Sequence, residues 1–145
     1  MTKTFIAAAA FALSFTSCTK GSDENKTVAI SNESLAGKYS FGSVTYKAAG
    51  SPEQDYPMYT NCQKDDKITL SANGAFLYSD EGEKCDPPGE KSGNWSLSSN
   101  NTVITLDGSE LNLLSFDGNV LKVGDTDTDI RTGTSITITI TLNKL

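Results

Sequence analysis

Residues 135–142, Ser-Ile-Thr-Ile-Thr-Ile-Thr-Leu, have the clearest strand pattern of the chain. Apolar side chains at 136, 138, 140 and 142 alternate with three threonines. Successive side chains of a β-strand point to opposite faces of the sheet, so one face here is apolar and the other carries hydroxyl groups. Such a strand is typical of an antiparallel sheet with one buried face and one face in water. The stretch therefore predicts an all-β domain.

The same period of two extends upstream to Leu35, and turn residues interrupt it at short intervals. Asn73-Gly74, Asp107-Gly108 and Asp117-Gly118 are dipeptides typical of tight turns. We find no convincing amphipathic helix of useful length after Leu35. The pattern predicts eight strands, at residues 37–47, 67–71, 75–79, 92–97, 102–106, 110–116, 119–123 and 136–142.

Consecutive strands joined by short turns, without crossover helices, predict an antiparallel up-and-down meander. Closing this meander into a barrel removes both exposed sheet edges. The predicted architecture is therefore an eight-stranded antiparallel barrel. A two-sheet sandwich built from the same strands is the alternative.

Composition excludes several functional classes. The chain has 145 residues, which is the length of one domain, and it carries 18 Asp and Glu against 12 Lys and Arg, with no His. The absence of His excludes histidine triads, His-ligated metal sites and imidazole acid–base chemistry. A net charge of −6 argues against a nucleic acid partner, because binding phosphates requires a basic face. With no Gly-x-Ser-x-Gly motif either, we predict a protein that is not an enzyme and needs no cofactor or metal.

Two acidic pairs and one acidic segment are the remaining candidates for chemistry. Asp65-Asp66 and Asp80-Glu81 are sequence neighbours, and neighbours in a strand point to opposite faces. Neither pair by itself therefore forms the facing carboxylates of a glycosidase, and we interpret them as solvated or loop-capping groups. Residues 125–129 resemble the start of a calcium loop, but Ile130 and Ile136 stand where Gly and Glu are required. A polar turn is predicted there, with weak cation binding as the alternative.

The N-terminus has the pattern of a secretory signal. Lys3 supplies a positive charge, and residues 5–13 form an apolar stretch too short to span a bilayer. Residues 13–18, Leu-Ser-Phe-Thr-Ser-Cys, resemble the lipobox of bacterial lipoproteins, in which the cysteine receives a diacylglycerol and the chain is cut before it. The resemblance implies a signal peptide at residues 1–17 and lipidation at Cys18. An ordinary secretory signal is the alternative.

Residues 18–34 follow as the acylated cysteine and a polar, flexible tether. A lipid at Cys18 predicts attachment to the bacterial outer membrane, on the cell surface or on the periplasmic face. Lys20-Gly-Ser-Asp-Glu24 resembles the acidic signal that sends some Bacteroidota lipoproteins to the surface, with a solvated linker as the alternative.

Cys62 and Cys85 remain as an even pair in an exported chain, where disulfides persist. Their spacing is not that of a metal site, and no His is available to complete four ligands. A disulfide between them closes a loop of 24 residues across the Asn73-Gly74 hairpin. It attaches the segment before the second predicted strand to Asp86-Pro-Pro-Gly89.

Four motifs together carry a family resemblance. They are Gly37-Lys-Tyr39 at the first strand, Cys62-Gln-Lys-Asp-Asp66, the acidic stretch Asp80–Cys85, and Gly93-Asn-Trp95. With them, residues 35–145 resemble the small lipocalin-like domains of Bacteroidota lipoproteins, although Tyr39 stands where that family usually has Trp. The resemblance implies a lipocalin-like β-barrel in the cell envelope, and it implies fold and location more than function.

An eight-stranded barrel either fills its interior with side chains or holds one small apolar ligand. The aromatic residues Tyr39, Phe41, Phe76 and Trp95 are the predicted ligand contacts. Small residues after Phe41 favour an open mouth, so we predict that the domain binds a small hydrophobic molecule. The alternative is a filled barrel whose acidic loops dock an unidentified protein partner at the envelope.

Overall fold

A computed structural model describes residues 28–57, 59–129 and 132–145. The predicted signal peptide and Cys18 lie outside these described residues. The helices are α1 (Asn32–Leu35) and α2 (Asn61–Lys64), each one turn long. The strands are β1 (Gly37–Ala48), β2 (Gln54–Asp55), β3 (Lys67–Leu70), β4 (Ala75–Ser79), β5 (Lys91–Leu97), β6 (Val103–Leu106), β7 (Ser109–Phe116), β8 (Val120–Thr128) and β9 (Ser135–Lys144).

The strands form one antiparallel sheet that closes on itself. Their order is β2-β1-β3-β4-β5-β6-β7-β8-β9, and β1 also pairs with β9. This last pairing closes all strands except β2 into a ring of eight, with β2 added at the edge of β1 beside β3. The predicted up-and-down barrel is therefore confirmed. The sandwich alternative is wrong, because β1 pairs with both β3 and β9.

Two predictions about strands need correction. The acidic segment 125–129 was expected to be a turn, but β8 continues through it to Thr128. Asp125 pairs with Ile138 and Asp127 with Ile136, so the long alternating strand β9 imposes strand structure on its polar neighbour. The sequence pattern also missed β2, because two residues are too few to show a period.

The barrel has a closed end and an open end. The closed end carries α1, the turns that follow β3, β5 and β7, and the C-terminus. The open end carries the long connections 49–66 and 80–90 and the turns that follow β6 and β8. No helix of the described residues is long and apolar enough to cross a bilayer.

Large side chains fill the closed half of the interior. Leu35 and Tyr39 are both 0% exposed, and the Tyr39 hydroxyl donates to the Leu35 carbonyl at 2.6 Å. Trp95 is 3% exposed, and its Nε1 donates to the Ser71 carbonyl at 2.8 Å. Both aromatic rings are thus buried with their polar atoms paired, as core aromatic residues require. The rest of this core is Ile68, Leu70, Phe76, Ile104, Phe116, Leu121, Val123 and Leu142.

The last part of the predicted tether is folded against the closed end. Val28 and Ile30 pack on the core. Asn101 Nδ2 donates to the Ile30 carbonyl at 2.9 Å, and Lys144 Nζ donates to the Ser34 carbonyl at 2.8 Å. The folded domain therefore includes residues 28–34, which were predicted to be flexible.

A capping box fixes this segment. Ser31 Oγ accepts from the Ser34 amide at 3.2 Å, and Ser34 Oγ accepts from the Ser31 amide at 2.9 Å. The usual box has Glu or Gln at its fourth position, so Ser-x-x-Ser gives only a weak sequence signal.

Candidate functional site

A pocket lies at the edge of β1, beside β2 and α2. Its volume is about 370 Å³, within the range of roughly 300–1,000 Å³ typical of small-molecule sites. It lies where β1 runs between β3 and β2, and we call it the α2 pocket. The Phe41 and Tyr59 rings in its wall are 5.7 Å apart. The full lining is Phe41, Gly42, Ser43, Val44, Asp55, Tyr56, Tyr59 and Lys64.

A second pocket, of about 350 Å³, lies under the connection 80–90, and we call it the loop pocket. The Phe41 and Tyr78 ring centroids are 6.0 Å apart, so these two rings form a wall between the pockets. Lys91 at its rim pairs with Asp107 at 3.0 Å. The full lining is Gln63, Phe76, Tyr78, Cys85, Pro87, Gly89 and Lys91.

One disulfide connects the covers of both pockets. Cys62 lies in α2 and Cys85 in the connection 80–90, and they are bonded with their Cα atoms 5.3 Å apart. The predicted disulfide is therefore present. It joins the helix that carries Lys64 to the connection that carries Pro87 and Gly89, so one covalent bond holds both covers.

Buried carboxylates hold the connection 80–90 in place through hydrogen bonds to its backbone amides. Asp66 is fully buried, and its Oδ2 accepts from the Tyr78 hydroxyl at 2.6 Å while Oδ1 accepts from the Glu81 amide at 3.0 Å. Asp65 Oδ2 accepts from the Glu83 amide at 2.9 Å. These acidic residues are loop-capping groups, as interpreted from the sequence.

Asp80 also accepts hydrogen bonds from the connection 80–90. The cluster that it forms with Asp66 and Cys85 does not suit a metal ion. Asp80 Oδ1 accepts from the Cys85 amide at 3.4 Å, and Oδ2 accepts from the Gly89 amide at 3.1 Å. The possible ligand atoms of Asp66, Asp80 and Cys85 lie within 4.8 Å of one another. However, the Cys85 sulfur is bonded to Cys62, and all four carboxylate oxygens accept protein hydrogen bonds.

Removing the Tyr78 hydroxyl is expected to destabilise the open end. Phe at this position deprives buried Asp66 of a short hydrogen bond, and a bond to a charged group contributes about 1.5–3 kcal/mol. We expect Tyr78→Phe to lower the free energy of unfolding by that amount in urea titrations. The matched control is Tyr46→Phe, which removes an exposed hydroxyl bonded to Gln54 and is expected to change stability by less than about 0.5 kcal/mol. Equal effects of the two substitutions would contradict this role for Asp66.

Three tyrosines hold their protons more tightly than a free phenol. Burial raises the pKa of Tyr39 to about 12. Burial, and then the negative charges of Asp66 and Asp65, raises the pKa of Tyr59 to about 12. Burial and the hydrogen bond to Asp66 also raise the pKa of Tyr78 well above its ordinary value.

These raised pKa values predict a loss of stability in alkali. An unfolded tyrosine loses its proton near pH 10, whereas the folded protein holds these protons until about pH 12, so the unfolded state binds fewer protons in that window. The free energy of unfolding is therefore expected to fall as the pH rises from about 10 to 12. Urea titrations across this range test the expectation. The free energy of unfolding of Tyr39→Phe should fall less steeply with pH than that of wild type. Parallel curves for the two proteins would show that Tyr39 does not contribute to the pH dependence.

The structure divides the four predicted ligand residues. Phe41 lines the α2 pocket and Phe76 lines the loop pocket. Tyr39 and Trp95 line neither pocket, and both are buried in the core.

Sequence reasoning missed Tyr56, Tyr59 and Lys64, which line the α2 pocket. They lie in the connection 49–66, which has no period of two because most of it is not a strand. A usable signal was present, because two tyrosines three residues apart directly precede Cys62. A disulfide fixes the segment beside it, so aromatic residues there keep a defined position.

A family match covers the barrel domain. The family described as "Lipocalin-like domain" matches residues 35–145. A bovine odorant binding protein, solved in complex with a selenium-containing odorant, is similar with a TM-score of 0.42 and 13% sequence identity, over 83% of this chain and 76% of that chain. No curated protein matches this chain. The match to residues 35–145 shows that the chain belongs to the lipocalin-like domain family.

Proposed function

We propose that this domain binds one small, largely apolar molecule at its open end and performs no catalysis. The observation that carries the proposal is the α2 pocket, a cavity of about 370 Å³ with aromatic rings in its walls. Pockets that are mainly apolar with a few polar groups are the usual sites for small ligands.

The lining of the α2 pocket combines apolar ring surfaces with polar groups. Phe41, Tyr56 and Tyr59 offer ring surfaces, and Val44 adds an aliphatic contact. Ser43, Asp55 and Lys64 supply polar groups that would orient one end of the ligand. A filled barrel whose acidic loops dock a protein partner is the alternative.

A non-catalytic role is supported by the way the acidic residues are used. Asp66 and Asp80 accept hydrogen bonds from loop amides and from a tyrosine, which leaves neither placed as a free acid or base. The whole sequence has no His to serve as a general base.

The proposal includes a lipid anchor at Cys18 that holds the domain on the bacterial outer membrane. Its support is the lipobox-like sequence 13–18 that follows an apolar stretch. Incorporation of radiolabelled palmitate by wild type but not by Cys18→Ala is the expected result. Unlabelled wild type released to the medium would contradict the anchor.

Titration with N-phenyl-1-naphthylamine, an uncharged apolar fluorophore, tests the binding site. We expect one probe per domain and an affinity about tenfold weaker in Tyr59→Ala, since losing one ring contact removes roughly 1.4 kcal/mol. Leu77→Ala is the matched control, because Leu77 is an exposed apolar residue that lines neither pocket. Circular dichroism establishes that each variant is folded.

The pattern across the two variants decides the outcome. A control affinity within about twofold of wild type supports the site when Tyr59→Ala is weakened. Absence of binding to wild type, or equal weakening by both substitutions, would contradict it.

A further inference from the structure

We infer that the domain stands on the membrane with its closed end toward the bilayer and its open end pointing away from it. The inference rests on the proposed lipid anchor at Cys18 and does not depend on the ligand. It has a consequence for function, because a ligand of the open end then arrives from the aqueous side rather than from the bilayer below.

The first observation is the place where the chain joins the barrel. Val28 lies beside Gly118 in the turn after β7, where a Cβ atom on the glycine would be 3.2 Å from Val28 Cγ2. The Ile30 carbonyl accepts from Asn101 in the turn after β5. Leu35 is completely buried at the end of α1. Each of these contacts lies at the closed end.

The second observation is the length of chain between the proposed anchor and the barrel. Residues 18–27 separate the proposed anchor from Val28, and ten residues span at most about 36 Å in any conformation. β9 has ten residues, so the barrel wall rises about 25 Å along its axis at the usual strand tilt. To place the open end on the head groups, the ten residues would have to run back along this wall and past the loops, almost fully extended.

The third observation is the distribution of charge. The open-end connections 49–66, 80–90, 107–108 and 129–134 carry 11 Asp or Glu residues, two Lys and one Arg. The closed-end segments 28–36, 71–74, 98–102, 117–119 and 143–145 carry two acidic residues and one Lys.

This asymmetry orients the domain near an anionic bilayer. Such a bilayer repels acidic groups within a screening length of about 8 Å, so it repels the open end far more strongly than the closed end. Charge and chain entry therefore favour the same orientation.

Quenching by a nitroxide attached to lipid head groups tests the orientation. Full-chain, lipidated protein carries one added cysteine with a fluorescent label, in vesicles of phosphatidylcholine and phosphatidylglycerol. Ala72→Cys and Ser99→Cys place the label at the closed end, and Ala49→Cys and Ser109→Cys place it at the open end. All four positions are exposed. The native thiols do not interfere, because Cys62 and Cys85 are bonded and Cys18 is acylated.

We expect closed-end labels to be quenched roughly twofold or more above open-end labels, given a height difference of about 25 Å. Equal or reversed quenching in protein that floats with the vesicles would overturn the orientation and leave the anchor standing. Protein that fails to float, as Cys18→Ala is expected to do, would overturn the anchor and the orientation together.

Discussion

Trp95→Ala is expected to lower the free energy of unfolding by about 3–5 kcal/mol. The indole is 3% exposed in the closed-end core, so its removal leaves a cavity that neighbouring strands cannot fill. It also leaves the Ser71 carbonyl without its indole donor. Urea unfolding followed by circular dichroism measures the change.

Two comparisons separate a core role for Trp95 from a ligand role. Leu77→Ala, on an exposed position, is expected to change stability by less than about 0.5 kcal/mol. Trp95→Phe keeps a ring in the core and should bind N-phenyl-1-naphthylamine with an affinity within about twofold of wild type. A Trp95→Phe protein that is stable but no longer binds the probe would show that Trp95 belongs to the ligand site.

Removing the disulfide with Cys62→Ser and Cys85→Ser is expected to cost about 3.4 kcal/mol of stability, the chain-entropy estimate for a loop of this length. The two cysteines are 23 residues apart, and their bond joins the covers of both pockets. We therefore expect weaker binding of the apolar probe as well as a lower unfolding midpoint.

Wild type in a dithiol reductant is the matched control for that double variant. The reduced protein should reproduce both the lower midpoint and the weaker binding. Unchanged stability in the variant would show that the bond does not restrain the unfolded chain, and unchanged binding would show that the pockets keep their shape without it.

The barrel was predictable because its signals are local. Alternation in β9 shows a strand with one buried face, and Asn-Gly and Asp-Gly dipeptides mark the turns between strands. Ring closure needs only consecutive antiparallel pairing and a final pairing of β1 with β9. The acidic end of β8 was missed because its strand structure comes from pairing with β9, not from its own residues.

The candidate site was less predictable. Alternation along a strand shows which face of the sheet a side chain is on, but not how far along the barrel axis it lies. Tyr39 and Phe41 point to the same side of β1, yet Tyr39 lies in the filled closed end and Phe41 in the α2 pocket. Whether a side chain lies near a pocket depends on which end of the barrel carries the long connections and on how these connections fold back over that end. Tyr56 and Tyr59 complete the pocket from such a connection, where no period is visible.

Amide chemical-shift mapping tests whether the open end binds a small apolar molecule. The isotope-labelled protein is titrated with N-phenyl-1-naphthylamine, and the shifted amides are located on the structure. We expect saturable shifts concentrated at residues 41–44 and 55–64, around the α2 pocket. Shifts centred on the closed-end core around Trp95, or no saturable shifts at all, would contradict it.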